Sequence, residues 1–152
     1  MKAVVHHRYG GPEQLRLADL PIPEPGAGEL RLKVLACAVN LSDWEHLTGS
    51  PFYARLVGGL RRPKQPVHGS DVVGVVDRLG PGAAGFGLGD RVMGDVVMTR
   101  GGFADYVCVP ADLMENVPEA LSDEVAACLP QAGGIAVSGT GNVTAGARLL
   151  VN

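Results

Sequence analysis

The run Asp71-Val72-Val73-Gly74-Val75-Val76-Asp77-Arg78-Leu79 constrains the fold more than any other stretch. Its valines favour extended backbone, so it is a strand. Gly74 inside it implies a bend or a close backbone approach, as at a barrel corner. Other segments repeat the theme. Lys2 to His7 is a short strand, and Leu15 to Leu20 alternates apolar and polar residues. Glu29 to Val34 alternates too, then Leu35 to Val39 turns wholly apolar, so one long strand passes from a wet edge into the core. Gly101 to Pro110 is a turn followed by an alternating strand. Between them lie turns, in keeping with 22 glycines and 11 prolines. Two short helices complete the reading. Ser42 and Glu45 have capping-box spacing ahead of Gly49 and Pro51. Ser122 caps a second helix through Leu129, which Pro130 and the Gly133-Gly134 pair break or kink. The basic stretch from Phe52 to Pro66 reads as an irregular surface loop. The sum is a curled, mainly β, barrel-like domain.

Composition removes several functional classes. A net charge of −3 gives no electrostatic case for nucleic acid or an anionic membrane. No apolar run is long enough to span a bilayer. The three cysteines, Cys37, Cys108 and Cys128, are far apart and odd in number. They suit neither a disulfide framework nor a zinc knuckle. The N-terminus is too short and polar for a signal peptide, so the expected setting is the cytoplasm. The His6-His7 pair is expected on an edge strand, at the surface. Arg61, Arg62 and Lys64 either face an anionic group or are simply solvated. At the other end, Gly146 to Asn152 reads as a buried strand of the kind that opens a parallel sheet.

Several segments, taken in order, carry a resemblance: Met1 to Val5, Tyr9-Gly10-Gly11-Pro12, Pro21-Ile22-Pro23, Gly28-Glu29-Leu30 and Ala38 to Trp44. They continue with Gly69 to Val76, Gly89 to Val92 and Gly102 to Tyr106. The set is similar to the medium-chain dehydrogenase/reductase superfamily, in its zinc-free quinone-oxidoreductase-like branch. The resemblance runs over nearly the whole chain. It implies a GroES-like, partly open β-barrel catalytic domain with short helices over residues 1–121. Residues 122–152 then form a connecting helical region and the first strand of a Rossmann domain that would hold NADPH. The chain is expected to stop at that strand.

The same resemblance places Asn40 and Ser70 where zinc-dependent relatives carry ligands, with Gln131 near the third. Amide and hydroxyl groups are poor zinc ligands, so no metal is expected there. Without a metal, a hydrogen-bond donor must stabilise charge on the substrate oxygen. Asn40 lies beside the nicotinamide by resemblance, as donor to cofactor or substrate. From its position it equally caps the helix starting at Leu41. Ser42 offers a hydroxyl, or only a cap. Asp43 is assigned to the cofactor loop, where it fixes local geometry. Tyr53 is a candidate proton donor in the basic loop, or plain amphipathic surface. Ile135 stands where relatives often carry a cofactor-contacting Thr.

Two functions compete. In the first, this is the N-terminal part of a zinc-independent, NAD(P)H-dependent reductase of quinones, enones or other carbonyls, or an alcohol dehydrogenase-like enzyme, inactive alone. In the second, it is a non-catalytic GroES-like binding or dimerisation module. Both predict a homo-oligomer or a partner supplying the Rossmann half, since Leu149-Leu150-Val151 would be an adhesive edge.

Overall fold

The computed structural model describes residues 1–144 and 146–150. Strands β1 (Lys2–Val5) and β2 (Arg16–Asp19) form an antiparallel pair, with Lys2 opposite Asp19. The main sheet contains β3 (Glu29–Ala38), β4 (Asp71–Leu79), β5 (Arg91–Asp95), β6 (Tyr106–Pro110) and β7 (Glu115–Asn116). Its order is β6-β3-β4-β5-β7, and every pairing is antiparallel. Isolated bridges at Ala3–Ala104 and Val5–Val67 tie the small sheet to the connecting segments. The result is mainly β, with short helices and open sheets that do not close into a barrel.

Strand β4 sits at the centre, and its two faces feed two cores. Val72 and Val76 join Leu30, Leu32, Val92, Val96, Val107, Val109 and Met114. Val73 points the other way, against Val117, Ala126 and Ala127. Burial of both faces over its first six residues explains why this part of the strand is valine-rich rather than alternating. Gly74 lies opposite Val34, where β3 slips register before Ala36. A Cβ there would meet the Lys33 carbonyl at 2.7 Å, so the expected close approach is present.

The helices depart from the sequence expectation. Four α-helices are present among the described residues: α1 (Leu41–Thr48), α2 (Tyr53–Gly58), α3 (Asp123–Ala127) and α4 (Pro130–Thr140). Asn40, not Ser42, is the N-cap of α1. Its backbone N–H donates to Asp43 Oδ2 at 2.9 Å, so the capping pair starts two residues earlier than Ser42–Glu45. Helix α2 lies inside the stretch read as irregular. Ser122 does cap α3, accepting from Val125 N. That helix ends at Ala127, and Pro130 opens α4 instead of terminating α3. Proline fits a first turn, where its missing N–H would have no partner. Helix α4 then runs through Gly133 and Gly134. Of the predicted last strand, Ala147 to Leu150 take no regular structure, and Leu150 is 89% exposed. A strand needs a ladder partner, and none is present among the described residues. Val151 and Asn152 lie outside the described residues.

Candidate active site

The loop between β3 and α1 carries Asn40, and the chain entering β4 carries Ser70. Just before Ser70, Gly69 lets the chain pass close to the Gly102–Phe103 backbone. At φ 99° it takes a conformation that side chains rarely adopt, and a Cβ would meet Phe103 N at 2.5 Å. Around this crossing a polar network assembles. Asn40 Nδ2 donates to Ser70 Oγ at 3.5 Å, and the Ser42 and Ser70 hydroxyls lie 3.2 Å apart. Ser42 Oγ donates to Gln131 Oε1 at 3.2 Å. Ser70 Oγ donates to Asp43 Oδ2 at 3.3 Å. The start of α4 closes the ring: Gln131 N donates to Asp71 Oδ2 at 3.0 Å, and Gln131 Nε2 to Asp95 Oδ2 at 3.4 Å. The three positions that the resemblance aligned with zinc ligands therefore converge in space, with amides and hydroxyls as their donors.

One cation stands inside this network. Arg100 Nη1 meets Asp43 Oδ1 at 3.2 Å, and Nη2 donates to the Ser42 carbonyl at 3.1 Å. Both side chains are largely buried. Burial pushes the Asp43 carboxyl up, while the Asn40 N–H and the Arg100 guanidinium oppose that shift. Asp71 is also pushed up by burial, against the Gln131 N–H and the Asn40 amide. The Asp43 oxygens are thus occupied by Asn40, Ser70 and Arg100. Its carboxylate positions the Asn40 loop.

A cavity of about 230 Å³ opens beside α1 and α2. Ser42, Tyr53, His46 and Arg100 line it, with Val57 and Met98 as apolar wall. It brings two predicted residues, Ser42 and Tyr53, to one space. Tyr53 Oη donates to Glu45 Oε1 at 2.5 Å, and this bond is the main reason its pKa is raised. Its proton is therefore held by a carboxylate on the neighbouring helix. Ile135 is elsewhere, 68% exposed on α4.

Sequence reasoning missed Arg100 and misplaced His6. His6 is fully buried, not at the surface, and lies against His46 and His68 with ring centroids 4.9 and 4.1 Å away. His7 is the exposed member of the pair. A single residue after a four-residue strand gives no periodic signal for which side is buried.

Residues 26–119 match the family model described as the alcohol dehydrogenase GroES-like domain. The mouse synaptic vesicle membrane protein VAT-1 homolog-like is 35% identical, over 86% of this chain and 29% of its own length. The structure of the quinone oxidoreductase from Coxiella burnetii superposes with a TM-score of 0.82 and 33% identity, covering 93% of this chain and 44% of that one. A mycobacterial structure complexed with NADPH gives 0.80 and 34%, covering 97% and 42%. The chain spans less than half the length of each of these relatives. It is an oxidoreductase-type GroES-like domain. It belongs to the medium-chain dehydrogenase/reductase superfamily, in the quinone-oxidoreductase-like branch. Among the described residues, no helix is long and apolar enough to cross a membrane.

Proposed function

We propose that this chain supplies the substrate-side half of a zinc-independent, NAD(P)H-dependent reductase of a quinone, enone or related carbonyl. The observation that carries the proposal is the meeting of Asn40, Ser70 and Gln131 through hydrogen bonds. Their donor set does not suit zinc, which takes thiolate, imidazole or carboxylate. It does suit a neutral nicotinamide or carbonyl group, because amides and hydroxyls can both donate and accept hydrogen bonds. The cofactor, when bound, supplies the hydride. Asn40 then donates to the oxygen where negative charge builds. Asp43 and Arg100 hold the Asn40 loop in place, and Ser42 presents its hydroxyl at the wall of the cavity. Tyr53 can return a proton only after Glu45 releases it, so it acts late or as a wall. Ile135 offers the cofactor an apolar contact where relatives often offer a hydroxyl.

Residues 1–121 then form the catalytic domain and 122–152 the connection to a nucleotide-binding unit. The apolar surface of α4, with Ile135 at 68% and Val137 at 71% exposure, supports cover by that unit or by a second copy. Three free cysteines support a reducing, cytoplasmic setting. The 152 residues by themselves are expected to bind NADPH no tighter than millimolar and to turn over no quinone. A titration followed by cofactor fluorescence measures this. Saturable binding in the micromolar range, or NADPH oxidation with a quinone, would overturn the half-site reading.

A further inference from the structure

Outside this network, three histidines from three parts of the fold meet in the interior. His6 follows β1, His46 lies in the last turn of α1, and His68 leads into β4. All are at most 4% exposed. The bridge Val5–Val67 sets two of them. It puts His6 and His68 at diagonal positions on one face of a short antiparallel pair, and their ring centroids are 4.1 Å apart. Helix α1 brings His46 within 5.1 Å of His68.

The hydrogen bonds fix which nitrogens are free. A carbonyl oxygen only accepts, so each imidazole bonded to one must donate. His6 Nδ1 donates to the Pro66 carbonyl at 3.3 Å, and His46 Nε2 to the Gln65 carbonyl at 3.0 Å. The lone pairs left over are on His6 Nε2 and His46 Nδ1. His6 Nε2 and His68 Nε2 are buried with no hydrogen-bond partner among the described residues. A buried unsatisfied nitrogen is costly, and two in one spot call for a shared explanation. One ring nitrogen from each histidine lies within 4.8 Å of one from each of the others.

We propose that His6, His46 and His68 form a three-imidazole site for a divalent transition metal, with zinc as the fitting ion. An ion centred on a triangle of 4.8 Å sides would sit about 2.8 Å from each nitrogen. Each ring then moves inward by about 0.7 Å to reach the zinc–imidazole distance. Backbone carbonyls already orient two of the rings, the usual arrangement behind metal-bound histidine. The rings are neutral at pH 7, since burial lowers His46 to about 4 and His68 to about 3. His46 also lines the 230 Å³ cavity, which gives the ion a route in and a place for a water as fourth ligand. The site shares no side chain with the Asn40 network and stands whether or not the reductase reading holds. Its effect would be to pin β1, α1 and the lead-in to β4 together.

The test uses the full chain stripped with EDTA and titrated with cobalt(II), then zinc. One equivalent should bind, with the intense visible bands of four-coordinate cobalt, bleached by zinc. His7→Ala should change nothing, because His7 is exposed. His68→Asn should weaken binding by about 100-fold or more. If that variant does not fold, imidazole nitrogen NMR of the unaltered chain decides: zinc should shift the three buried histidines and leave His7 in place. Binding of less than a tenth of an equivalent, or a response lost in His7→Ala, would overturn the site.

Discussion

Arg100 joins a loop after β5 to the first turn of α1, and it does so from a left-handed backbone at φ 57°. That conformation costs a non-glycine residue about 1 kcal/mol, which the paired guanidinium must offset. Removing one partner of a buried pair leaves the other charge stranded. Arg100→Met is therefore expected to destabilise the chain by about 3–5 kcal/mol. Adding Asp43→Asn should recover part of that loss, because no charge remains unpaired. Urea unfolding of the singles and the double checks this, and strictly additive losses would refute the pairing. At this scale the sequence was half legible. Asn40, Ser42 and Asp43 lie in one tetrapeptide whose residue types announce a helix start. Arg100 is 57 residues from Asp43, and nothing near it in the chain marks it as a partner.

The helices were less legible than the strands. Helix α4 crosses Gly133 and Gly134, which the sequence suggested would break or kink the Ser122 helix. Glycine weakens a helix but does not block one, whereas proline blocks only the turn before it. A Cβ at either glycine would meet nothing within 4 Å. Gly133→Ala and Gly134→Ala should therefore each stabilise α4 by about 1 kcal/mol. Hydrogen exchange of the α4 amides reads this directly, and unchanged protection in both variants would contradict a helix limited by its glycines. The strands were easier because burial on both faces of β4 demands valine, a signal that survives without knowledge of any neighbour.

For the whole molecule, the buried histidines set the response to acid. His6, His46 and His68 are held neutral mainly by burial, with Arg100 adding positive charge nearby. Their folded pKa values lie below the ordinary 6.5, so the unfolded chain takes up protons first. The stability they preserve is complete above pH 6.5 and is lost as pH falls toward 4. Near pH 5, with EDTA present, His46 and His68 alone should give a slope of about 2–3 kcal/mol per pH unit, and His6 adds in the same direction. Asp43 and Asp71 act in the opposite direction, since burial raises them, but only nearer the carboxylate range. Urea midpoints at pH 7 and pH 5 check the sign. A midpoint unchanged or higher at pH 5 would show that the cluster is not buried and neutral.

The sequence alone determined most of the strands, the Gly74 approach, the Ser122 cap and the family, because these rest on local residue pattern and ordered motifs. The tertiary structure decided the rest. Bridge Val5–Val67 set His6 and His68 on one inner face, helix α1 added His46, and the packing of α1 against the chain entering β4 joined Asn40 to Ser70. Contacts across 27 to 89 residues close the polar network. Such contacts depend on how distant segments pack together, and the residues of one segment do not name its partner.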